Sequence, residues 1–272
     1  MIREYINYIS HIKGMSANTS KAYYKDLMAF VKWAGERNLR WSTIRRDDID
    51  LYVTYLSSQG KSPSTTNRML SAISGIYNYM RRMGKDVENP CRYESRRKLA
   101  KTTPNTISNE ELKNAYQHSY GVAKVMLGLL CSTGIRLQEL LDMKWEDINF
   151  ERNTIAIKGK GSKGRIVYAT SESLETLKTY KNHNDVSGKI FTLSQREVRD
   201  MIYKALKPYC NAPQLSPHAI RHSYATNIAT NGGNVVTLAV LLGHNNISTT
   251  QRYIDTANVA AQQLSLNNQI LN

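Results

Sequence analysis

From Ile2 to Gly84, apolar side chains recur at three- and four-residue spacing in four successive stripes, a period that a helix can bury on one side and a strand cannot. Ile2, Tyr5, Ile6, Ile9 and Ile12 form the first stripe, and Tyr24, Leu27, Met28 and Val31 the second. The third, Ile49, Tyr52, Val53 and Leu56, follows Asp47 and Asp48, whose carboxylates suit the positive end of a helix. The fourth, Met69, Leu70, Ile73, Ile76, Tyr77 and Met80, comes after Ser62-Pro63-Ser64 and stops at Gly84. Four amphipathic helices of this kind make a bundle, and the stripes are its core.

The periodicity then lapses. From Glu88-Asn89-Pro90-Cys91 to Pro104 the chain carries Arg92, Arg96, Arg97, Lys98 and Lys101 but no apolar face, the mark of an interdomain linker. Residues 1–105 hold 19 basic and 9 acidic side chains, so ten of the chain's net fifteen positive charges lie in this part. Such a field gathers polyanions, either nucleic acid or an anionic membrane surface. No apolar run approaches the ~20 residues that span a bilayer, and Met1-Ile2-Arg3-Glu4-Tyr5 leads into no signal-peptide core. Cys91, Cys131 and Cys210 are scattered, odd in number and without metal-ligand spacing. A soluble, cytoplasmic protein of a reducing compartment is therefore expected, with no metal, no cofactor and no membrane partner.

The expected division is a four-helix domain over 1–90, a basic linker over 91–105 and a larger mixed domain over 106–272. In that last part Ser108-Asn109-Glu110-Glu111 resembles a capping box at a helix start. Asn153-Thr154-Ile155-Ala156-Ile157 and Arg165-Ile166-Val167-Tyr168 are short β-branched runs flanking Lys158-Gly159-Lys160-Gly161-Ser162-Lys163-Gly164, which predicts a hairpin with a lysine-bearing loop. The loop lacks the spacing and following helix of a phosphate-binding P-loop, so ATP binding is discounted.

Four local patterns carry chemistry. In Ser132-Thr133-Gly134-Ile135-Arg136 a glycine precedes a helix and places Arg136 near its start, where an arginine can share a phosphate with free backbone N–H groups. In Ser216-Pro217-His218-Ala219-Ile220-Arg221-His222, Ser216 is a good cap and Pro217 a good first-turn residue, which sets His218 and Arg221 on one face. His222 lies about 100° from Arg221 round the helix and is expected to pack inward or hydrogen-bond structurally. In Leu241-Leu242-Gly243-His244, Gly243 supplies a left-handed stop that turns His244 off the helix axis. Ser248-Thr249-Thr250-Gln251-Arg252-Tyr253 is a capping pattern with a tyrosine one turn on.

Singly, each has an ordinary structural use, and Tyr253 is one of 17 tyrosines. Together, Arg136, Lys160, His218, Arg221, His244 and Tyr253 supply two phosphate clamps, an acid, two imidazoles and a nucleophile, a complete set for phosphoryl transfer without a metal. The combination of TGIRLQEL, GKGSKGR, SPHAIRHSYAT, LLGHNNISTT and QRYI resembles the tyrosine recombinases, the integrase and Xer-type site-specific recombinases. NTSKAYYKDL and the Asn89-Pro90 junction resemble their core-binding domain, so the likeness covers nearly the whole chain.

The resemblance implies a mainly α-helical fold, with a four-helix core-binding domain and a mostly helical catalytic domain bearing a small antiparallel sheet. It implies Arg136 and Arg221 as phosphate clamps, Lys160 as the acid with Lys163 an open alternative, and His218 in proton transfer. His244 would hydrogen-bond the phosphate, and Tyr253 would form a 3′-phosphotyrosyl link on the way to a Holliday junction. The implied partners are double-stranded DNA with inverted-repeat core sites, three further copies of the chain in a homotetramer, and an accessory DNA-bending protein. Val259, Ala260, Leu264, Ile270 and Leu271 are expected either to dock on a neighbouring copy or to fold back on their own domain. Recombinases of longer build carry an arm-binding domain before the bundle; this chain begins almost at the bundle, so simple inverted-repeat core sites are expected. Two other activities share parts of the pattern: DNA relaxation of the type IB topoisomerase kind, and DNA binding by a non-catalytic regulator.

Overall fold

Serine caps and apolar stripes set the helices of the first part of the chain. Ser16 and Ser62 accept from the backbone N–H groups of Thr19 and Thr65, both at 3.2 Å, and each opens a long helix. The computed structural model describes residues 1–91, 105–158, 164–183, 188–232 and 234–243, and the chain divides into two units, Met1–Lys101 and Thr102–Asn272.

In the first unit α1 (Ile2–Asn7) runs directly into a π-helical turn, Tyr8–Ile12, followed by α2 (Ala17–Gly35), α3 (Arg46–Ser58) and α4 (Pro63–Arg82). All six residues of the α4 stripe are buried, as are Ile49, Tyr52 and Leu56 of α3. Asp48 lies inside the first turn of α3 rather than before it, and its Oδ2 accepts from the Arg45 backbone N–H at 2.8 Å. The stripe expected in α2 is displaced: Leu27, Phe30, Trp33 and Ala34 face the core, while Tyr24 and Met28 are exposed. Ile12 also leaves its expected face and is 70 % exposed. The cause is the π turn, in which Lys13 N donates to Tyr8 O, because the wider winding moves later residues out of the 3.6-residue phase.

An aromatic group fills the centre of this unit. Tyr52 meets Phe30 edge-on, with ring centroids 4.9 Å apart, and Tyr77 donates its hydroxyl to the Trp41 carbonyl oxygen at 2.9 Å. Gly75 on α4 leaves room for the Tyr5 phenol, which a Cβ at that position would overlap. Past the end of α4, Asn89 donates from Nδ2 to Ser74 Oγ and Asn78 Oδ1 and accepts from Cys91 N, which fastens the chain back onto α4.

The second unit is built round α6 (Gly121–Thr133), whose Val125, Met126, Leu127, Leu129 and Leu130 are all buried. A helix apolar on every side needs partners on every side. They are α5 (Asn109–Gln117), α8 (Ser171–His183), α9 (Gln195–Leu206) and α10 (Pro217–Thr230). The Ser108 capping box closes as expected, with Glu111 N donating to Ser108 Oγ and Ser108 N to Glu111 Oε2. Between α7 (Leu137–Asp142) and α8 lies an antiparallel sheet of β1 (Ile148–Asn149), β2 (Thr154–Ile157) and β3 (Arg165–Tyr168), in that order. Its register pairs Ile155 with Val167 and Ile157 with Arg165, which puts Arg165 on the face carrying the buried apolar residues. Packed on α10 is α11 (Val235–Leu242), ended by Gly243 at φ 62°.

Candidate active site

Three arginines from three different elements meet the last carbonyl groups of α11. Arg165 Nε donates to Leu241 O at 2.7 Å, Arg221 Nη2 to Leu242 O at 2.6 Å, and Arg136 Nη2 to Gly243 O at 2.7 Å. A helix C-terminus exposes carbonyl oxygens without intrahelical partners and carries partial negative charge, so three guanidinium groups satisfy both its hydrogen bonding and its dipole.

Local sequence explains how each arrives. The left-handed Gly134, at φ 61°, stops α6, and a Cβ there would strike the Tyr224 ring. The chain turns through the buried Ile135 and presents Arg136 as the N-cap residue of α7. On α10, Ser216 Oγ accepts from Ala219 N at 3.2 Å and Pro217 sits in the first turn, as the sequence predicts. One turn on, Arg221 is buried, and its Nη1 donates to Gly134 O at 2.7 Å. Arg221 therefore joins the α6–α7 turn to the end of α11.

Glu139 is the counter-charge. Its Oε1 and Oε2 accept from Arg165 Nη1 and Nη2, both at 2.8 Å, while Arg136 donates to it from the backbone N at 2.7 Å and from Nη1 at 2.9 Å. The Arg136 backbone N–H is thus used internally. Burial alone would raise the Glu139 carboxyl, but the hydrogen bonds and charges of Arg165 and Arg136 outweigh it and hold the group down at about 2. Three guanidinium groups against one carboxylate leave these four side chains with net positive charge. The Arg136 side chain is 43 % exposed, whereas Arg165 and Glu139 are 11 % and 10 % exposed. Arg136 is accordingly the member of the cluster most open to an incoming anion.

His218, in the first turn of α10, is exposed. Its Nε2 lies 2.9 Å from His222 Nε2, with ring centroids 4.2 Å apart. His222 is about 100° from Arg221 but one turn from His218, and its expected hydrogen bond is made to that ring. In such a contact one ring donates and the other accepts, which couples the two tautomers.

Arg136 and Arg221 are thus brought together, with His218 one turn from Arg221. Lys160, Lys163, His244 and Tyr253 lie outside the described residues. Lys158, at the described edge of the hairpin loop, pairs with Asp147 at 3.2 Å. Sequence reading missed Glu139 and Arg165. The signal for Glu139 was its place three residues after Arg136, the reciprocal position of a capping box. The signal for Arg165 was inverted strand alternation, since its neighbours Ile166 and Tyr168 are the exposed residues of β3. Among the described residues no group of His, Cys, Asp or Glu is arranged to hold a metal, and no helix is long and apolar enough to cross a membrane.

Residues 105–259 match the phage integrase family, and residues 2–84 match the N-terminal SAM-like domain of phage integrases. Tyrosine recombinase XerC of Staphylococcus aureus (strain MRSA252) is 28 % identical over 97 % of this chain and 94 % of its own length. In fold the chain is similar to the XerH site-specific recombinase bound to its palindromic difH substrate, with TM-score 0.77 and 18 % identity over 97 % of this chain and 84 % of that one. It is also similar to the Tn1549 transposon integrase in complex with transposon right end DNA, with TM-score 0.73 and 19 % identity over 97 % and 99 %. The chain belongs to the phage integrase family. Its activity is that of a tyrosine-type site-specific DNA recombinase.

Proposed function

We propose that the protein exchanges DNA strands at inverted-repeat core sites through a covalent link to Tyr253. The observation that carries this reading is the joining of Arg136 and Arg221 at the end of α11, where two cations from separate elements can hold one phosphate. In the proposed step the Tyr253 phenolate oxygen attacks the scissile phosphorus and the bond to the 5′ oxygen breaks. Lys160, or Lys163 in its place, gives that oxygen a proton, so it leaves as a hydroxyl rather than an alkoxide. Arg136 and Arg221 offset the charge that builds on the non-bridging oxygens, and His244 hydrogen-bonds one of them. His218 moves the phenol proton, with His222 coupled to its tautomer. A 5′-hydroxyl from the partner duplex then attacks the phosphotyrosine, releases Tyr253 and gives a Holliday junction. The ester conserves the energy of the broken bond, so no nucleotide is consumed.

In this reading residues 1–90 form the core-binding domain, 91–105 the basic linker and 106–272 the catalytic domain. The working assembly is a homotetramer on duplex DNA, assisted by an accessory DNA-bending protein and acting in the cytoplasm at the nucleoid. Two duplexes with different labels, each carrying the core site, test the reading. It requires recombinant products that depend on the site in both partners. Relaxation of supercoiled DNA without strand exchange would favour the topoisomerase reading, and binding without cleavage the regulator.

A further inference from the structure

The guanidinium of Arg165 ties together three separate pieces of the candidate site: β3, on which it sits, the Glu139 carboxylate on α7, and the Leu241 carbonyl at the end of α11. We propose that Arg165 is a positioning residue for strand cleavage, one that shares the Glu139 carboxylate with Arg136 and so keeps the Arg136 guanidinium aimed and charged toward the phosphate. The inference rests on the recombinase reading above and adds a residue to its machinery.

Geometry supports it first. Nη1 and Nη2 of Arg165 take the two oxygens of Glu139 side by side, and Nε takes Leu241 O, so the planar fork is fixed in three directions. Arg136 donates to the same carboxylate and to Gly243 O, two residues after Leu241. The two arginines thus share Glu139 and grip different carbonyl groups at the end of α11, and Arg165 is the more deeply buried of them.

Gly243 supplies the space. Besides its positive φ, a Cβ there would stand 2.8 Å from Arg165 Nη1 and 3.4 Å from Arg136 Nη1. A side chain at position 243 would therefore push the Arg165 guanidinium from its place, while it would only touch that of Arg136.

Charge completes the argument. With Arg165 in place, the Glu139 carboxylate faces two guanidinium groups, and with Arg221 the cluster keeps two positive charges over for an anion. Without it, the buried Glu139 carboxylate would face the Arg136 guanidinium alone, and only the Arg221 charge would be left over. That pair would offset the Arg136 charge and hold its guanidinium against the carboxylate. A buried acid beside a phosphate clamp helps only while a second cation neutralises it.

The test compares wild type, Arg165→Ala, Arg165→Lys and the double variant Arg165→Ala/Glu139→Gln, all in the full chain. Single-turnover adduct formation is measured on a nicked core-site duplex at saturating protein, and affinity for the intact duplex is measured separately. The proposal expects Arg165→Ala to slow adduct formation by about 10²-fold, the scale of a catalytic group misplaced by an ångström, with affinity unchanged. Arg165→Lys should fall between, because one ammonium cannot span both Glu139 oxygens and Leu241 O. Removing the stranded carboxylate in the double variant should recover most of the lost rate. The proposal is overturned if Arg165→Ala cleaves at the wild-type rate, if rate and affinity fall by the same factor, or if the double variant is no faster than the single one. Should Arg165→Ala fail to fold, Arg165→Lys alone decides: a wild-type rate contradicts the clamp, and a slowed rate at full affinity supports it. A wild-type protein forming no Tyr253-dependent adduct would instead overturn the recombinase reading, and the clamp with it.

Discussion

Arg221 and Leu242 are joined by a 2.6 Å hydrogen bond from Nη2 to the carbonyl oxygen, and the same guanidinium reaches Gly134 O from Nη1. One buried side chain thus spans the turn that presents Arg136 and the helix end that Arg136 grips. Lysine keeps the charge but cannot reach two carbonyl groups in fixed directions. Arg221→Lys is expected to lose about 2 kcal/mol of stability, the scale of a charge-assisted hydrogen bond removed from a buried site. It should also reduce DNA cleavage far more than DNA binding. Urea unfolding and single-turnover cleavage check the two effects.

Glu139 makes stability depend on acid in a defined window. Its carboxyl is held at about 2 when folded, below its ordinary value of 4.5. A depressed carboxyl contributes stability that is complete above its unfolded value and is lost as pH falls through its folded one. The stability difference between wild type and Glu139→Gln should therefore be constant at neutral pH and shrink steadily below 4.5. Urea midpoints of both proteins across this range measure it. A difference that does not change with pH would contradict the ion pairs assigned to Glu139.

Two glycines are fixed by close approach. Gly134→Ala puts a Cβ into the Tyr224 ring at a backbone angle that side chains rarely adopt, and Gly75→Ala puts one against the Tyr5 hydroxyl. Each should destabilise by about 1–3 kcal/mol, as overpacking of a filled core does. Only Gly134→Ala should also impair cleavage, because Gly134 precedes Arg136 and its carbonyl oxygen binds Arg221. Thermal melting and cleavage assays on both variants separate these effects.

The net charge of +15 predicts a steep response to salt. Neutralised phosphates release counterions, so affinity for duplex DNA should fall by roughly 10³-fold or more between 50 and 200 mM salt if six or more phosphates are contacted. Electrophoretic mobility shifts across a salt series give the slope. A flat response would contradict phosphate recognition by the basic side chains.

Much of the fold was legible because most helices here carry a single apolar stripe. In α4 every predicted core residue is buried. In α2 two apolar stripes run side by side, and only packing against the neighbouring helices, α4 and α1 among them, selects Leu27 and Phe30 over Tyr24 and Met28. The π turn that exposes Ile12 has no signature in apolar spacing, since it depends on backbone hydrogen bonds, such as Lys13 N to Tyr8 O, that reach one residue further than usual. At the site, Arg136, His218 and Arg221 were readable from caps and glycine stops, which are local. Arg165 was not, because its value comes from partners on α7 and α11 brought together only by tertiary packing. The hydrogen bond expected of His222 is present, and its partner is His218, one helical turn away.

The central claim is that Tyr253 becomes covalently joined to DNA in a pocket organised by Arg136 and Arg221. A nicked core-site duplex, whose short leaving strand diffuses away and traps the ester, tests it most directly when combined with mass mapping of the attached peptide. The account predicts a protein–DNA adduct at Tyr253 in the wild type and none in Tyr253→Phe, with DNA binding retained by the variant. An adduct that persists in Tyr253→Phe, or one mapped to another residue, would contradict it.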